Sequence, residues 1–396
     1  MQILGAARSL LRERKPHEHS RVTFVELFFD LVFVFAVTQV SHFLLEHFSI
    51  FGVMQALLLF LAVWWVWVFT SWATNWLDPD TTPVRLMLFA LMFVGLVMST
   101  SLPQAFESRA LPFAVAYVTA QVGRCVFMLW CVRAHNSLNY RNFQRITAWL
   151  VLSGIFWIAG AFAQSELRFA LWLIALAIEY VSPAVGFWTP GLGRSNTADW
   201  DVEGDHMAER CGLFVIIALG ESVLITGATF AKMAWTAPVV GAFIVAFVAS
   251  VAMWWIYFNI GAERARHHIA ESSDPGRYAR LAYTYVHLLL IAGIIVSAMS
   301  DELILAHPGG HTDFKTASTT IGGFALFLIG NILFKQIMTG RPTLSHFIGL
   351  GLLAVLAPFA VVLSPLAFGA CATAILVTVA VWETRSYARG PNAEIA

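Results

Sequence analysis

Two acidic residues lie one helical turn apart inside an apolar run, in the stretch RVTFVELFFDLVFVFAVTQ at residues 21–39. Glu26 and Asp30 are four residues apart, so they share one face of a helix. Ser41 returns to nearly the same face. A carboxylate in hydrocarbon is costly, about 2.5–3.5 kcal/mol for an Asp at the centre of an inserted helix. We therefore expect both acids to face protein or water, where a carboxylate can pair with a base or exchange a proton.

Arg124 is the base that we expect to pair with these acids. It falls in the cytoplasmic half of the fourth apolar run, at a depth similar to that of Asp30, and Gln121 lies three residues earlier on roughly the same face. A cluster of Glu26, Asp30 and Arg124 would satisfy all three charges. Such a cluster could belong to a transport path, or it could be a structural ion pair that fixes the register of two helices.

The second half of the chain carries its own acids and bases within apolar runs. Glu221 lies near the middle of the seventh run, between two small residues, where its carboxylate cannot easily reach an interface. Asn331 and Lys335 are four residues apart on the tenth run and share a face. The sequence predicts that Lys335 pairs with Glu221 or with Glu209, and it does not choose between them.

Further ionisable residues occur late in several runs. Glu179 and Glu383 occupy matching positions in the sixth and twelfth runs, with Glu383 nearer the interface and Glu179 deeper. His287 could belong to a proton path, or it could make one interhelical hydrogen bond. The acids at 301–302 follow the ninth run, where they could line an entrance or lie in a solvated loop.

The composition identifies the class of protein that holds these residues. Of 396 residues, 59% are hydrophobic and 12% are charged, and the mean hydropathy is +0.72; a soluble domain carries about 25% charged residues. Apolar runs of 18 or more residues recur, each long enough to cross a hydrocarbon core of about 30 Å. The sequence predicts an all-α, polytopic membrane protein with membrane lipid as a partner. The net charge of zero argues against nucleic acid.

No motif indicates a metal, a cofactor or a catalytic centre. The four cysteines form no CxxC pair, and the His pair at 267–268 lacks carboxylate support, so we expect no metal and no cofactor. There is no HExxH motif, no nucleophile with a placed base and no Asp-rich diphosphate motif. An enzymatic reaction is not predicted. The expected partner is an unknown small solute or ion, and no feature indicates an oligomeric state.

We predict about twelve transmembrane helices with short connections. Most of the 24 Lys and Arg residues fall on one side of this arrangement, and only Arg109, Arg168, Lys232 and Lys315 fall in loops on the other. The positive-inside rule then places both termini in the cytoplasm. The predicted spans are 23–45, 51–76, 84–102, 110–133, 145–164, 167–188, 211–231, 236–260, 280–300, 317–338, 344–363 and 366–387.

Landmarks recur in order in the two halves of the chain. The Trp pair at 64–65 is echoed at 254–255, and AIEY at 177–180 is echoed by VWET at 381–384. We therefore predict two parallel six-helix repeats, a form known among transporters, although shared membrane composition could also produce the matches. The predicted parts are a basic cytoplasmic N-terminus (1–22), the first repeat (23–188), a cytoplasmic linker (189–210), the second repeat (211–387) and a cytoplasmic tail (388–396).

Two long segments resemble a known family. VELFFDLVFVFAVTQVS at 25–41 and ERCGLFVIIALGESVL at 209–224 are similar to the two signature segments of the bacterial low temperature requirement A family. The resemblance extends from about Arg21 to about Arg389 and implies a multi-helix protein of the bacterial inner membrane. It implies no particular reaction or substrate.

A second, shorter resemblance concerns the first helix. FFDLVFVFAVT at 28–38 is similar to the Phe-Ser-Asp segment of the lysosomal potassium channel family, which also has two six-helix repeats. Phe29 stands where that motif has Ser, and the corresponding place in the second half is Gly212, with no acid.

Three functions remain open from the sequence. The first is a secondary transporter, with or without coupling to protons, with Asp30 and Glu221 as titrating carboxylates and Arg124 and Lys335 as their basic partners. The second is a cation or proton channel. The third is a non-transporting scaffold or lipid-handling protein.

Overall fold

The computed structural model describes residues 10–12, 21–133, 137–196, 200, 202–259, 269, 272, 274–340 and 343–388. These residues form twelve helices and two isolated β-bridges, without a β-strand, which confirms the all-α class. Most of the predicted N-terminus and the tail from 389 onward lie outside the described residues.

The first six helices lie in the first half of the chain. A short 3₁₀ turn at Leu102–Gln104 extends the third helix. The bounds are α1 Phe24–Glu46, α2 Ile50–Trp76, α3 Thr82–Ser101, α4 Ala110–Val132, α5 Ser137–Phe162 and α6 Ser165–Val181.

The remaining six helices lie in the second half. The ninth is a continuous element in which an α-helical turn, Pro275–Tyr278, leads through a π-helical stretch, Ala279–Val286, into an α-helix, His287–Ala306. The eleventh continues as a 3₁₀ turn over Ala357–Val361. The bounds are α7 Gly204–Phe230, α8 Ala237–Tyr257, α9 Pro275–Ala306, α10 Phe314–Thr339, α11 Leu344–Leu356 and α12 Pro365–Ala388.

Eleven of these helices in the described part of the chain are long and apolar enough to cross a membrane. The exception, α6, has 17 residues, which is the lower limit for spanning a hydrocarbon core. Pro stands in the first turn of α3 and α8, where its missing N–H costs no helical hydrogen bond. The side chains of Ser49 and Asp313 cap α2 and α10 by accepting from the backbone N–H three residues later.

The chain divides into two compact units. The first comprises residues 1–207 and 273–277, and the second comprises 208–272 and 278–396. Helices α1–α6 lie in the first unit, and α8, α10, α11, α12 and most of α7 and α9 lie in the second. The division falls inside α7. Because α7 begins at Gly204, residues 204–210 of the predicted linker form the first turns of a helix.

Several helices begin earlier than predicted. The structure starts α5 at 137 rather than 145, α7 at 204 rather than 211, and α9 at 275 rather than 280. Each added segment is polar, and hydropathy detects only the part of a helix that matches the apolar layer. A helix can continue past that layer wherever its polar side chains reach water or protein.

Glycines allow α9 and α10 to pack closely. A Cβ on Gly293 would stand 2.6 Å from the backbone N of Phe327, and one on Gly323 would stand 2.6 Å from the backbone N of Ser297. Small residues at a crossing let two helix backbones approach within van der Waals contact, and such packing is one of the forces that associate helices in lipid.

Candidate functional site

Glu179 lies at the centre of a buried hydrogen-bond network in the first unit. Its Oε2 accepts from the Tyr117 hydroxyl at 2.5 Å and from Gln121 Nε2 at 3.4 Å. Its Oε1 accepts from the Ser153 hydroxyl at 2.6 Å and from Trp157 Nε1 at 3.0 Å. The Glu179 side chain is only 1% exposed. The carboxylate on α6 is thus held by two residues of α4 and two of α5, all of them neutral. We call these five residues the Glu179 network.

Arg124 reaches this network through one intermediate residue. Its Nη2 donates to Gln121 Oε1 at 2.5 Å, and Gln121 Nε2 in turn donates to the Tyr117 hydroxyl at 3.2 Å and to Glu179. Its Nη1 donates to the Thr70 hydroxyl at 3.2 Å. The guanidinium is therefore buried near a carboxylate without touching it.

The predicted cluster of Glu26, Asp30 and Arg124 is wrong. Within the described residues, Arg124 bonds to Gln121, to Thr70 and to a backbone carbonyl of α2, and neither acid is among its partners. The prediction matched membrane depth, but depth does not determine which face of α4 meets which neighbour.

The spacing on α4 contains a signal for the network that the sequence analysis missed. Tyr117, Gln121 and Arg124 fall at positions i, i+4 and i+7, which share one helix face. Ser153 and Trp157 on α5 are also four apart. The donors to Glu179 are hydroxyl, indole and amide groups, which a search for charged partners does not find.

Asp30 belongs to a different contact in the same unit. Its Oδ1 accepts a hydrogen bond from Trp67 Nε1 of α2 at 2.8 Å, and its side chain is fully buried. Glu26, one turn earlier, has other partners. The two acids therefore share a helix face, as expected, but they have different partners.

Glu26 is bound by a basic residue that lies outside the apolar runs, in the N-terminal segment before α1. Arg12 Nη2 lies 3.0 Å from Glu26 Oε2, and Thr23 donates to the same oxygen from both its backbone N and its hydroxyl at 2.9 Å. His206 Nε2, in the first turn of α7, donates to Glu26 Oε1 at 2.9 Å. Asn75 Nδ2 lies 3.3 Å from His206 Nδ1, and a neutral ring with its proton on Nε2 satisfies both Glu26 and Asn75. Arg12 Nη2 also lies 3.1 Å from His206 Nε2, and this contact is not a hydrogen bond in that tautomer.

Arg12 also caps the end of α2. Its Nε donates to the carbonyls of Thr74 at 2.8 Å and Leu77 at 3.0 Å, and its backbone N donates to Trp76 O. The last carbonyls of a helix lack intrahelical donors and carry partial negative charge, so a cation there is favourable. From the sequence, Arg12 was expected only as one of the basic residues of the cytoplasmic N-terminus.

Lys335 is paired with an acid that the prediction did not select. Lys335 Nζ makes an ion pair with Glu383 of α12, and it lies 3.4 Å from His346 Nε2 of α11. All three side chains are buried. The predicted pairing with Glu221 or Glu209 is wrong, because the face of α10 that carries Lys335 packs against α11 and α12. Glu221 itself lies on α7 and is half-buried.

His287 lies where the π-helical stretch of α9 ends. Its Nδ1 is 2.8 Å from the carbonyl of Ala282, five residues earlier, so Nδ1 carries the proton. Its Nε2 then accepts from the Tyr257 hydroxyl of α8 at 2.7 Å. The interhelical hydrogen bond weighed as one alternative is present. On α10, Asn331 Nδ2 donates to the carbonyl of Phe327 at 3.0 Å.

Asp301 is not in a solvated loop. The helix α9 continues to Ala306, and the Asp301 side chain is buried within it. Its Oδ2 has no hydrogen-bond partner among the described residues. No group of three or more His, Cys, Asp or Glu residues that could hold a metal ion occurs in the part of the chain that the structure describes.

The Glu179 network is the arrangement best suited to proton chemistry. The Tyr117 and Ser153 hydroxyls can each donate or accept a hydrogen bond, so the network can accommodate a carboxylate or a carboxylic acid. The Lys335–Glu383 pair is different, because neutralising one member would leave the other charge buried alone.

Comparison with protein-family models identifies one family. Residues 21–381 match the family described as Bacterial low temperature requirement A protein. A protein of Rhizobium meliloti (strain 1021), itself described as uncharacterized, is 41% identical over 370 residues, which cover 92% of this chain and 90% of that protein. No solved structure matches. The chain belongs to the bacterial low temperature requirement A family of membrane proteins.

Proposed function

We propose that this chain is a secondary transporter of the bacterial inner membrane in which the Glu179 carboxylate exchanges a proton during transport. The observation that supports this most is that every hydrogen bond to this buried carboxylate comes from a neutral donor. An ionisable residue inside a membrane is costly to keep and commonly marks a path for ions or protons.

The donors around Glu179 allow two protonation states. When the carboxylate takes up a proton, one hydroxyl donor must turn and become an acceptor. The Tyr117 and Ser153 hydroxyls can do so, whereas the Trp157 indole can only donate. Two reorientable donors, Tyr117 and Ser153, and two fixed donors, Trp157 Nε1 and Gln121 Nε2, therefore hold the group in place while its charge changes.

Arg124 favours the charged state without preventing neutralisation. Its positive charge acts on Glu179 through Gln121, and opposite charges at short range stabilise each other strongly in a low-dielectric interior. If Glu179 becomes neutral, Arg124 keeps its hydrogen bonds to Gln121 and Thr70. The cost of protonation is therefore smaller than it would be for a direct ion pair.

We further propose that the two six-helix sets are repeats. The last helix of each set carries a buried glutamate, Glu179 on α6 and Glu383 on α12. Each is bound by residues of the two preceding helices: α4 and α5 in the first unit, α10 and α11 in the second. This shared pattern supports the duplication inferred from AIEY and VWET.

Proton flux into proteoliposomes tests the proposal. We would reconstitute the full chain, impose a potential with potassium and valinomycin, and follow internal pH with a trapped dye. Glu179→Gln keeps the size of the side chain and removes its charge. Glu166→Gln changes an exposed acid on the same helix and serves as the control. We expect flux in the wild type and in Glu166→Gln, and at least a tenfold loss in Glu179→Gln.

Two outcomes would overturn the role of Glu179. One is equal flux in the wild type and in a folded Glu179→Gln variant. The other is no proton flux in any variant together with uptake of a solute that does not depend on the pH gradient. Tyr117→Phe, which keeps the ring and removes one reorientable donor, should slow the flux without abolishing it.

A scaffold without transport activity is the second candidate. The observation in its favour is Glu26, whose two oxygens are already satisfied by Arg12, Thr23 and His206 in a purely structural tie. If the protein is a scaffold, we expect no flux in the wild type, and we expect Glu179→Gln to change folding or lipid binding. A channel predicts single-channel currents, which planar bilayer recording would detect.

A further inference from the structure

A further buried carboxyl group, that of Asp301, lies in the second unit. It belongs neither to the Glu179 network nor to the Lys335–Glu383 pair. It is on α9, four residues after Ser297, so the two share a helix face. Its side chain is 6% exposed, and Oδ2 has no hydrogen-bond partner among the described residues. An ionised carboxylate in this state would be strongly destabilising.

Hydroxyl groups occupy the α9–α10 crossing next to this acid. Ser300 Oγ lies 2.5 Å from Thr320 Oγ1, and a Cβ on Gly323 would stand 2.6 Å from Ser297 Oγ. All of these hydroxyls are buried. We call Ser297, Ser300, Thr319 and Thr320 the hydroxyl layer.

The hydroxyl layer has no proton left to donate to Asp301. Ser297 donates to the carbonyl of Gly293 at 2.7 Å, Thr319 to that of Lys315 at 2.8 Å, and Thr320 to that of Thr316 at 2.7 Å. Ser300 is then the donor in its contact with Thr320, because each hydroxyl has a single proton. The layer therefore presents oxygen lone pairs, which are acceptors like the carboxylate itself.

Nearby charged groups do not neutralise Asp301. Glu302 is next to it on α9, and Lys315 is the one basic residue of the adjacent end of α10. Helix α8, which packs against α9, carries no charged residue. The first half of α12 also carries no charged residue, and its single titratable side chain is the exposed Cys371. None of these groups makes a hydrogen bond or ion pair with Asp301 in the described structure.

We propose that Asp301 and the hydroxyl layer form a binding site for one monovalent cation, a proton or Na⁺. Asp301 Oδ2 is buried without a hydrogen-bond donor in the described part of the chain, and the hydroxyls nearest to Asp301 along α9, Ser297 and Ser300, have already donated their protons elsewhere. A buried carboxylate of this kind needs a positive charge, and hard cations prefer oxygen ligands. One carboxylate balances one charge, whereas a divalent ion would leave a net positive charge in the membrane interior. The role of this cation as a coupling ion rests on the transport function proposed above. Its binding can be measured without transport.

Thermal stability of the purified full-length protein tests this site. A ligand that binds only the folded state raises the Tm in proportion to the logarithm of its concentration. We would titrate NaCl against choline chloride at constant ionic strength, and separately vary pH in choline chloride. The wild type should gain about 2–8 °C from Na⁺ or from acid. Asp301→Asn should abolish that gain, and the control Glu302→Gln should retain it.

The outcomes separate the two cations and can refute the site. A Na⁺ response lost in Asp301→Asn assigns sodium, and an acid response alone, lost in the same variant, assigns the proton. Identical responses in the wild type and Asp301→Asn, or none in either, overturn the proposal and leave the Glu179 flux test unaffected. If Asp301→Asn does not fold, Ser300→Ala keeps the carboxyl group and must shift the midpoint of the response about tenfold; an unshifted midpoint overturns the site.

Discussion

At the residue scale, the buried acids of this protein are stabilised in different ways. Glu383 touches a lysine, Glu26 is held by an arginine and a histidine, and Glu179 is held by neutral donors alone. The partner determines what each acid can do. A direct ion pair resists neutralisation because the remaining charge would be buried alone, whereas a group with reorientable hydroxyl donors tolerates either state.

The Lys335–Glu383 pair should behave as a structural unit. We expect Lys335→Met or Glu383→Gln alone to destabilise the protein by about 3–5 kcal/mol, because each leaves one buried charge unpaired. The double variant should cost clearly less than the sum of the two single variants. Denaturation in detergent measures all three. Additive losses would contradict direct coupling between the two side chains.

The sequence predicted which polar residues are buried, but not their partners. Eight of the nine candidates (Glu26, Asp30, Gln121, Arg124, Glu179, His287, Asn331 and Lys335) are buried. Burial follows from residue type and position in an apolar run. Pairing depends on helix rotation and on the reach of a long side chain. For this reason the predicted partners of Arg124 lie on the wrong helix, and Arg12 was not predicted as a partner of Glu26.

At the element scale, the α9–α10 crossing depends on specific glycines. Gly323→Ala would place a Cβ 2.6 Å from backbone and side-chain atoms of Ser297, so we expect a loss of about 1–3 kcal/mol from overpacking. The neighbouring Gly322→Ala meets nothing within 4 Å and is the matched control. It should be neutral or stabilising by up to about 1 kcal/mol, since Ala is the better helix former.

Thermal melting in detergent compares the two glycine variants. A lower Tm for Gly323→Ala than for Gly322→Ala is the expected order. Equal melting temperatures would mean that the two helices can separate at this crossing without cost.

The first turn of α10 should depend on its cap. Asp313 accepts from the backbone N of Thr316 at 2.8 Å, and Asp313→Ala should cost about 0.5–2 kcal/mol. The hydrogen bond from the Thr316 side chain lowers the pKa of Asp313, and the lysine at 315 acts in the same direction. The cap therefore contributes fully above the unfolded pKa of about 3.9 and is lost as pH falls through the lower folded pKa.

Asp313→Asn separates the cap from its charge. Asn caps about as well as Asp but does not titrate in this range. Melting curves recorded from neutral pH down through the range of Asp titration should converge for the wild type and Asp313→Ala. The stability difference between Asp313→Asn and Asp313→Ala should stay constant, and a difference that shrinks would refute the titration argument.

The elements themselves were largely predictable, because apolar length is a strong signal. All twelve helices were placed, but the starts of α5, α7 and α9 were several residues late. The π-helical stretch at Ala279–Val286 has no hydropathy signature at all. It shows in the contact between His287 Nδ1 and the carbonyl five residues earlier, which only the structure reveals.

At the scale of the whole molecule, each six-helix set has its own buried glutamate in its last helix. Glu179 and Glu383 occupy matching positions in the sequence, and both are bound by residues of the two preceding helices. Their direct partners differ, since the first set supplies neutral donors and the second a lysine. We propose that duplication was followed by divergence, with the proton exchange proposed above confined to the first set.

The proposed orientation places both termini in the cytoplasm. Asp80 and Ser108 are exposed at opposite ends of α3. In right-side-out vesicles carrying Cys371→Ala to remove the exposed native thiol, an impermeant maleimide should label Ser108→Cys at once. It should label Asp80→Cys only after permeabilisation. The reverse pattern would invert the topology.

The protonation of Glu179 is the most direct test of the central claim. Infrared difference spectra of the reconstituted protein, recorded between high and low pH, report the carboxylic acid band that appears when a buried carboxylate takes up a proton. We predict such a band in the wild type and in Glu166→Gln, and the loss of one of its components in Glu179→Gln, while the contributions of Asp301 and of exposed carboxylates remain. An unchanged difference spectrum in a folded Glu179→Gln variant would show that Glu179 does not exchange a proton and would contradict the account.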